Sequence, residues 1–206
     1  PLLSILFVLL AVSINSSCSH KNESDVKNVV KTELDQLKNL DSETTQKYIP
    51  YTELFPDATE NTDLSDEITE TFSLFFRKFD YKISDVSISA ENNSATVSVK
   101  LTTINSQILA RDFKTELLQT QITEAAQAQT GSTKDSSRSL EAHYLILNHL
   151  LNTNEYDTAE TNCSIQLVNT GNNKKEKWKI QRTNSLEDDL VGGLIADLAD
   201  PDILSP

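Results

Sequence analysis

Methionine is absent from this 206-residue chain, tryptophan occurs once, cysteine twice, histidine three times and glycine four times. Each shortage closes off a class of chemistry. Two cysteines, Cys18 and Cys163, do not make a framework of several disulfides. Three scattered histidines (His20, His143 and His149) do not supply the clustered ligands that a metal site wants. The four glycines form no phosphate-cradling loop. Positive charge is also scarce, with 18 basic residues against 31 acidic ones and a formal net charge of −13. Nucleic acid and anionic membrane surfaces are therefore poor partners. No apolar run reaches the roughly 20 residues needed to span a bilayer. No cofactor, metal or catalytic residue is expected.

What is present begins with an uncharged apolar run from Leu2 to Ile14, followed by Asn15, Ser16, Ser17 and Cys18. Its roughly 13 residues fall in the range of a signal peptide. The layout resembles the export signal of bacterial lipoproteins. That resemblance implies a diacylglyceryl group on the Cys18 thiol, cleavage just before it, a lipid tether over residues 18–23, and a protein held on the extracytoplasmic face of a membrane. Two acyl chains suffice for stable attachment where one is marginal. The pair Ser16–Ser17 fits the lipoprotein pattern, and Asn15 stands where those proteins usually carry leucine. The basic segment expected ahead of the apolar run is missing, so residues 1–17 read as a truncated signal. Ala11-Val12-Ser13 also has the small-x-small form of a general cleavage site, which leaves secretion without lipid as the alternative. All of the charge lies after this signal. With lipid on Cys18, Cys163 has no partner and reads as a small core residue.

The remainder suits one α+β domain over residues 24–199, with a flexible end over 200–206. Val26, Val30, Leu34, Leu37 and Leu40 recur at helical spacing behind a Ser24 cap. A short helix from Asp41 to Ile49 stops at Pro50, and Pro56 with the acidic stretch Asp57–Asp63 makes a loop. Ile68, Phe72, Phe75, Phe76 and Phe79 form one helical stripe, read as core. The period then changes to two: Val86, Ile88 and Ala90 alternate, as do Ala95, Val97, Val99 and Leu101, giving a hairpin in which Ala90 pairs with Ala95. Tyr81 and Ile83 have the opposite parity, which implies a bulge near Ser84–Asp85 or a later strand start. A long helix from Ser106 to Gln129 is expected to pack loosely in its second half. Ser139 caps a further helix carrying Leu140, Tyr144, Leu147, Leu150 and Leu151, after a polar linker from Gly131. Cys163, Ile165 and Leu167 alternate and pair with Trp178 and Ile180 in a second hairpin. Ser185-Leu186-Glu187-Asp188 reads as a capping box opening one short helix through Leu190, Leu194 and Leu198, weakened by Gly192 and Gly193.

This order of helices and hairpins, with Leu40-Asp41-Ser42-Glu43-Thr44, Phe79-Asp80-Tyr81-Lys82-Ile83, Ala95-Thr96-Val97-Ser98-Val99, Trp178-Lys179-Ile180 and Gly192-Gly193-Leu194 as its markers, resembles exported lipoproteins with a nuclear transport factor 2-like (cystatin-like) fold. The resemblance implies a curved antiparallel sheet wrapped around helices and a cone-shaped cavity, used in different members for ligands, catalysis or subunit pairing. Fold by itself does not choose among these. Tyr81, Tyr144, Tyr156 and Trp178 are the candidate pocket-lining residues, as aromatics with a polar handle. His143, beside the apolar face of its helix, reads as a structural histidine, and His149 as a solvated one. The function read from the sequence is membrane-tethered binding of a small molecule, peptide or envelope protein. The alternatives are a cavity-based hydrolase or isomerase and a module that pairs with a second copy of itself.

Overall fold

The computed structural model describes residues 22–49, 54–56, 58, 65–128, 137–171 and 177–204. The signal, Cys18 and the tether as far as residue 21, His20, most of the acidic loop after Pro56, the linker from Gly131 to 136 and the turn at 172–176 lie outside the described residues, and residues 22 and 23, expected in the tether, already belong to a helix. The fold is mixed α and β, with one open four-stranded antiparallel sheet and helices. Its strands are β1 (Asp80–Ile88), β2 (Ser94–Ile104), β3 (Thr158–Asn169) and β4 (Trp178–Ile180), in the order β1-β2-β3-β4. The helices are α1 (22–38), α2 (Ser42–Tyr48), α3 (Ser65–Phe75), α4 (Ser106–Ala128), α5 (Leu140–Thr153), α6 (Asn184–Leu190) and α7 (Leu194–Ala199). The chain divides into two compact units, one of residues 1–34, 82–99 and 164–181, the other of residues 35–81, 100–163 and 182–206.

In the first unit, α1 buries Val26, Val30 and Leu34. Ser24 lies inside this helix and does not cap it, because the helix already runs at residue 22. The hairpin buries Ala95, Val97 and Val99 from β2, as their alternation requires. It closes with the Ser89 N–H donating to the Ser94 carbonyl at 2.9 Å, so Ser89 stands opposite Ser94 where the sequence pairs Ala90 with Ala95. That slip of two residues preserves which side chains share a face, since the side-chain period is also two. The parity shift in β1 falls where expected, with Ser84 and Asp85 exposed in succession. Trp178, 6% exposed, pairs across the β3–β4 ladder with Asn169, and Leu167 with Ile180. Asn169 Oδ1 accepts from the Gly171 and Lys177 N–H groups, which closes that turn.

The second unit is mainly helical. The C-terminal end of α1 finishes in a Schellman arrangement: Leu40 sits in the left-handed region at φ 60°, its N–H donates to Leu37, and the Asp41 N–H donates to Gln36. Leu40 is thus the turn residue after α1 and 43% exposed. Asp41 caps α2, accepting from the Thr44 N–H at 2.8 Å. The stripe Ile68, Phe72, Phe75, Phe76 and Phe79 is buried throughout, continuing through a 3₁₀ turn at Phe76–Lys78. Helix α5 buries Leu140, Tyr144, Leu147, Leu150 and Leu151 and is capped by Ser139, as its sequence predicts. It packs against α3 and α4, and α7 packs against α4 and α6. The loose second half of α4 is also as expected, with Leu118 and Ile122 48% and 61% exposed.

The end of the chain departs from its sequence reading. Thr183, not Ser185, caps α6, its hydroxyl accepting from the Leu186 N–H at 3.1 Å. Gly192 and Gly193 adopt φ of 68° and 92°, which stops α6 and starts α7, so two helices stand where one was expected. Glycine is required there, because a Cβ on Gly192 would run into Thr103 Oγ1. Asp188 Oδ1 accepts from the Ile195 and Ala196 N–H groups at 2.9 and 3.2 Å, supplying α7 with its missing cap.

Candidate functional site

Four segments of the helical unit surround a cavity of about 710 Å³. All lie on helices or connecting segments, none on a strand. Leu54, Phe55, Pro56 and Ala58 come from the segment after α2, and α4 contributes Phe113, Lys114, Leu117 and Gln121. Ser137, Arg138 and His143 come from the entry to α5 and its first turns. Ile195, Leu198 and Ala199 come from α7. The size is that of a small-molecule site, and most of the lining is apolar with a few polar groups among it.

The apolar part of the wall is aromatic. Phe55 stacks on Phe113 with centroids 5.1 Å apart and an interplanar angle of 27°. The His143 ring lies 4.9 Å from Phe55 and 5.7 Å from Phe113. Phe55 and Phe113 are buried, whereas Gln121 and Arg138 are exposed, which sets an apolar floor under a polar rim. Burial among the rings holds the His143 imidazole below its usual range, opposed in part by its bond to the Ser139 carbonyl. That bond, 2.8 Å from Nδ1, selects the tautomer with the proton on Nδ1 and leaves Nε2 as the basic atom. Lys114 Nζ donates to the Asp200 carbonyl just beyond α7. The Ser137 N–H donates to Glu124 Oε2 at 3.2 Å.

The four candidate pocket-lining residues, Tyr81, Tyr144, Tyr156 and Trp178, line neither this cavity nor a smaller one of about 370 Å³ in the other unit, bordered by Glu23, Ser24, Lys27, Ile83, Ser84, Asp85 and Val86. Tyr144 is fully buried behind the larger cavity, edge-on to Phe55 at 5.4 Å and to Phe72 at 6.2 Å. Tyr156 is buried, its hydroxyl donating to Asp112 Oδ2 and accepting from Asn154 Nδ2, both at 3.2 Å. Burial, with the Asp112 charge, pushes its phenol up to about 12. Tyr81 is half-buried and donates to Asp35 Oδ1 at 2.5 Å, and burial with that carboxylate raises its phenol well above the ordinary value. Trp178 belongs to the β4 ladder.

Cys163 is buried and its thiol is pushed up to about 12 by burial, with the Asp189 charge adding to the effect. It is a protonated core thiol, as its alternating position implies. His149 is exposed. Glu187 is buried and takes two bonds from Arg182, at 2.7 and 3.0 Å. Among the described residues no helix is long and apolar enough to cross a membrane. Comparison with protein-family models, curated proteins and solved structures finds no match for this chain.

Proposed function

We propose that this protein is an exported, lipid-tethered binding protein, attached to the extracytoplasmic face of a bacterial membrane through Cys18 and holding a ligand in the helix-walled cavity. The observation that carries the binding half of this reading is the cavity's make-up, an aromatic floor with a polar rim at a volume suited to a small molecule. The tethering half rests on the signal-like run ending at Cys18. The nuclear transport factor 2-like fold remains part of the proposal; the mixed architecture with an antiparallel sheet supports it. The cavity, however, is lined by no strand, unlike the sheet-walled cone of that fold.

Native mass spectrometry of protein extracted gently from its own membranes, beside a Cys18→Ala form, tests both halves. A diacyl mass increment on the wild type alone, together with a bound small molecule, is the expected result. Equal, ligand-free masses in the two forms would overturn it. One observation favours a second reading, an enzyme: His143 stands in the cavity wall with a lowered titration and a basic Nε2. Under that reading the co-purified molecule is converted to a species of different mass on incubation, and a His143→Gln form leaves it unchanged.

A further inference from the structure

We infer that the cavity's ligand is a single-tailed amphipathic anion, its apolar body over Phe55, Phe113 and Leu117 and its anionic head at Lys114; this rests on the binding reading above. In a chain with 31 acidic and 18 basic residues, the charged side chains among the described residues that line the cavity are Lys114 and Arg138, both cationic. Two carboxylates, Glu124 and Asp188, accept from the backbone N–H groups of lining residues, Ser137 at 3.2 Å and Ile195 at 2.9 Å, and neither is among the described residues of the wall.

Lys114 is only partly satisfied within the chain. Its ammonium donates to the Asp200 carbonyl, which suits a cation at the C-terminal end of α7. A carbonyl is a neutral acceptor, and an ammonium has three donors, so that bond leaves the charge and two donors for a ligand. Among the described residues no carboxylate pairs with Lys114. His143 adds no charge of its own, because its neutral form is favoured by the surrounding rings. The wall is divided by depth: Phe55 and Phe113 are buried while Arg138 and Gln121 are exposed, so a tail and a head are accommodated at opposite depths.

The test uses the whole protein carrying Cys18→Ser and three ten-carbon probes below their micelle-forming concentrations: decanoate, decanol and decyltrimethylammonium, titrated calorimetrically. Decanoate is expected to bind one to one and about fivefold tighter than decanol, the gain of a partly exposed ion pair with Lys114, with the cationic probe weakest. Added salt should erode the decanoate preference and leave decanol unchanged. Lys114→Gln should abolish most of the preference and Lys114→Arg should keep it. Decanol binding as tightly as decanoate, or an unchanged ratio in Lys114→Gln, would overturn the inference while leaving cavity binding intact. Leu117→Trp, which fills the cavity, should remove binding of both probes. If no probe binds and a correctly folded Leu117→Trp form retains whatever ligand the membrane-derived protein carries, the binding reading falls with the inference.

Discussion

Two aromatic clusters stand within the helical unit, and they are built from the same residue type to opposite ends. In one, Phe76 meets Phe72, Phe75 and Phe79 at centroid distances of 6.4, 5.4 and 5.3 Å, and all four rings are buried. In the other, Phe55, Phe113 and His143 lie as close to one another but border the cavity. Tyr144 touches both, edge-on to Phe72 and to Phe55. The difference lies in the neighbours. The first cluster is contiguous on α3 and the turn after it, so one helical period closes it. The second takes its members from three separate stretches of chain, and its remaining wall, from α7, is made of smaller residues that leave space.

The comparison predicts unequal costs for the same truncation. Phe76→Ala removes a ring enclosed by others and should destabilise by about 4 kcal/mol. Phe113→Ala removes a ring that already faces a void, so less new cavity is created, and about 2 kcal/mol is expected. Urea denaturation of both variants decides it. Equal losses would mean that the space beside Phe113 is closed in solution and that the two clusters do not differ.

A change at Gly192 tests the wall opposite the rings. Gly192→Ala places a methyl group against Thr103 and asks an L-residue to hold φ 68°, which together should cost about 3 kcal/mol. Because Gly192 sets where α7 begins, the variant should also weaken decanoate binding, while Phe76→Ala should leave affinity unchanged wherever the protein remains folded. Affinity that survives Gly192→Ala would remove α7 from the site.

What the sequence conveyed follows the reach of its signals. The helical stripe of Phe72, Phe75 and Phe76, the alternation of Val97, Val99 and Leu101, and the Ser139 cap are local, and the structure reproduces them. Ser24 and Ser185 failed as caps because several nearby residues compete for each helix start and the winner is set by tertiary packing: Thr183 follows the exposed Arg182, whose guanidinium is held by the buried Glu187. Gly192 and Gly193 signalled a weakened helix, but only the close approach of Thr103 explains why the chain breaks there. The cavity was not legible. Phe55, Phe113, Arg138 and Leu198 are far apart in the chain, and nothing local distinguishes a ring that lines a space from one that fills it. The nearest hint was Leu54-Phe55-Pro56, an apolar group ahead of an acidic stretch. His143 was noticed for its partial burial, which is how it meets the site.

His143 separates the clusters most finely, because it is the titratable member of the open cluster, and the closed one has none. Its imidazole titrates below the ordinary value of 6.5 in the folded protein, chiefly through burial. The unfolded chain therefore binds more protons than the native state between that lowered value and about 6.5, and stability rises with pH across this window. The neutral ring's contribution is fully present above pH 6.5 and is lost as the pH falls towards the folded value. Comparing urea midpoints at pH 7.5 and pH 5 should show a drop in the wild type that is smaller in His143→Phe, with the remaining drop common to both and due to other groups. Phe76→Ala should show the wild-type dependence on pH, shifted to lower stability throughout. A His143→Phe form that loses as much between the two pH values as the wild type would mean that the ring is hydrated in solution, and that the open cluster is more accessible to water than its spacing indicates.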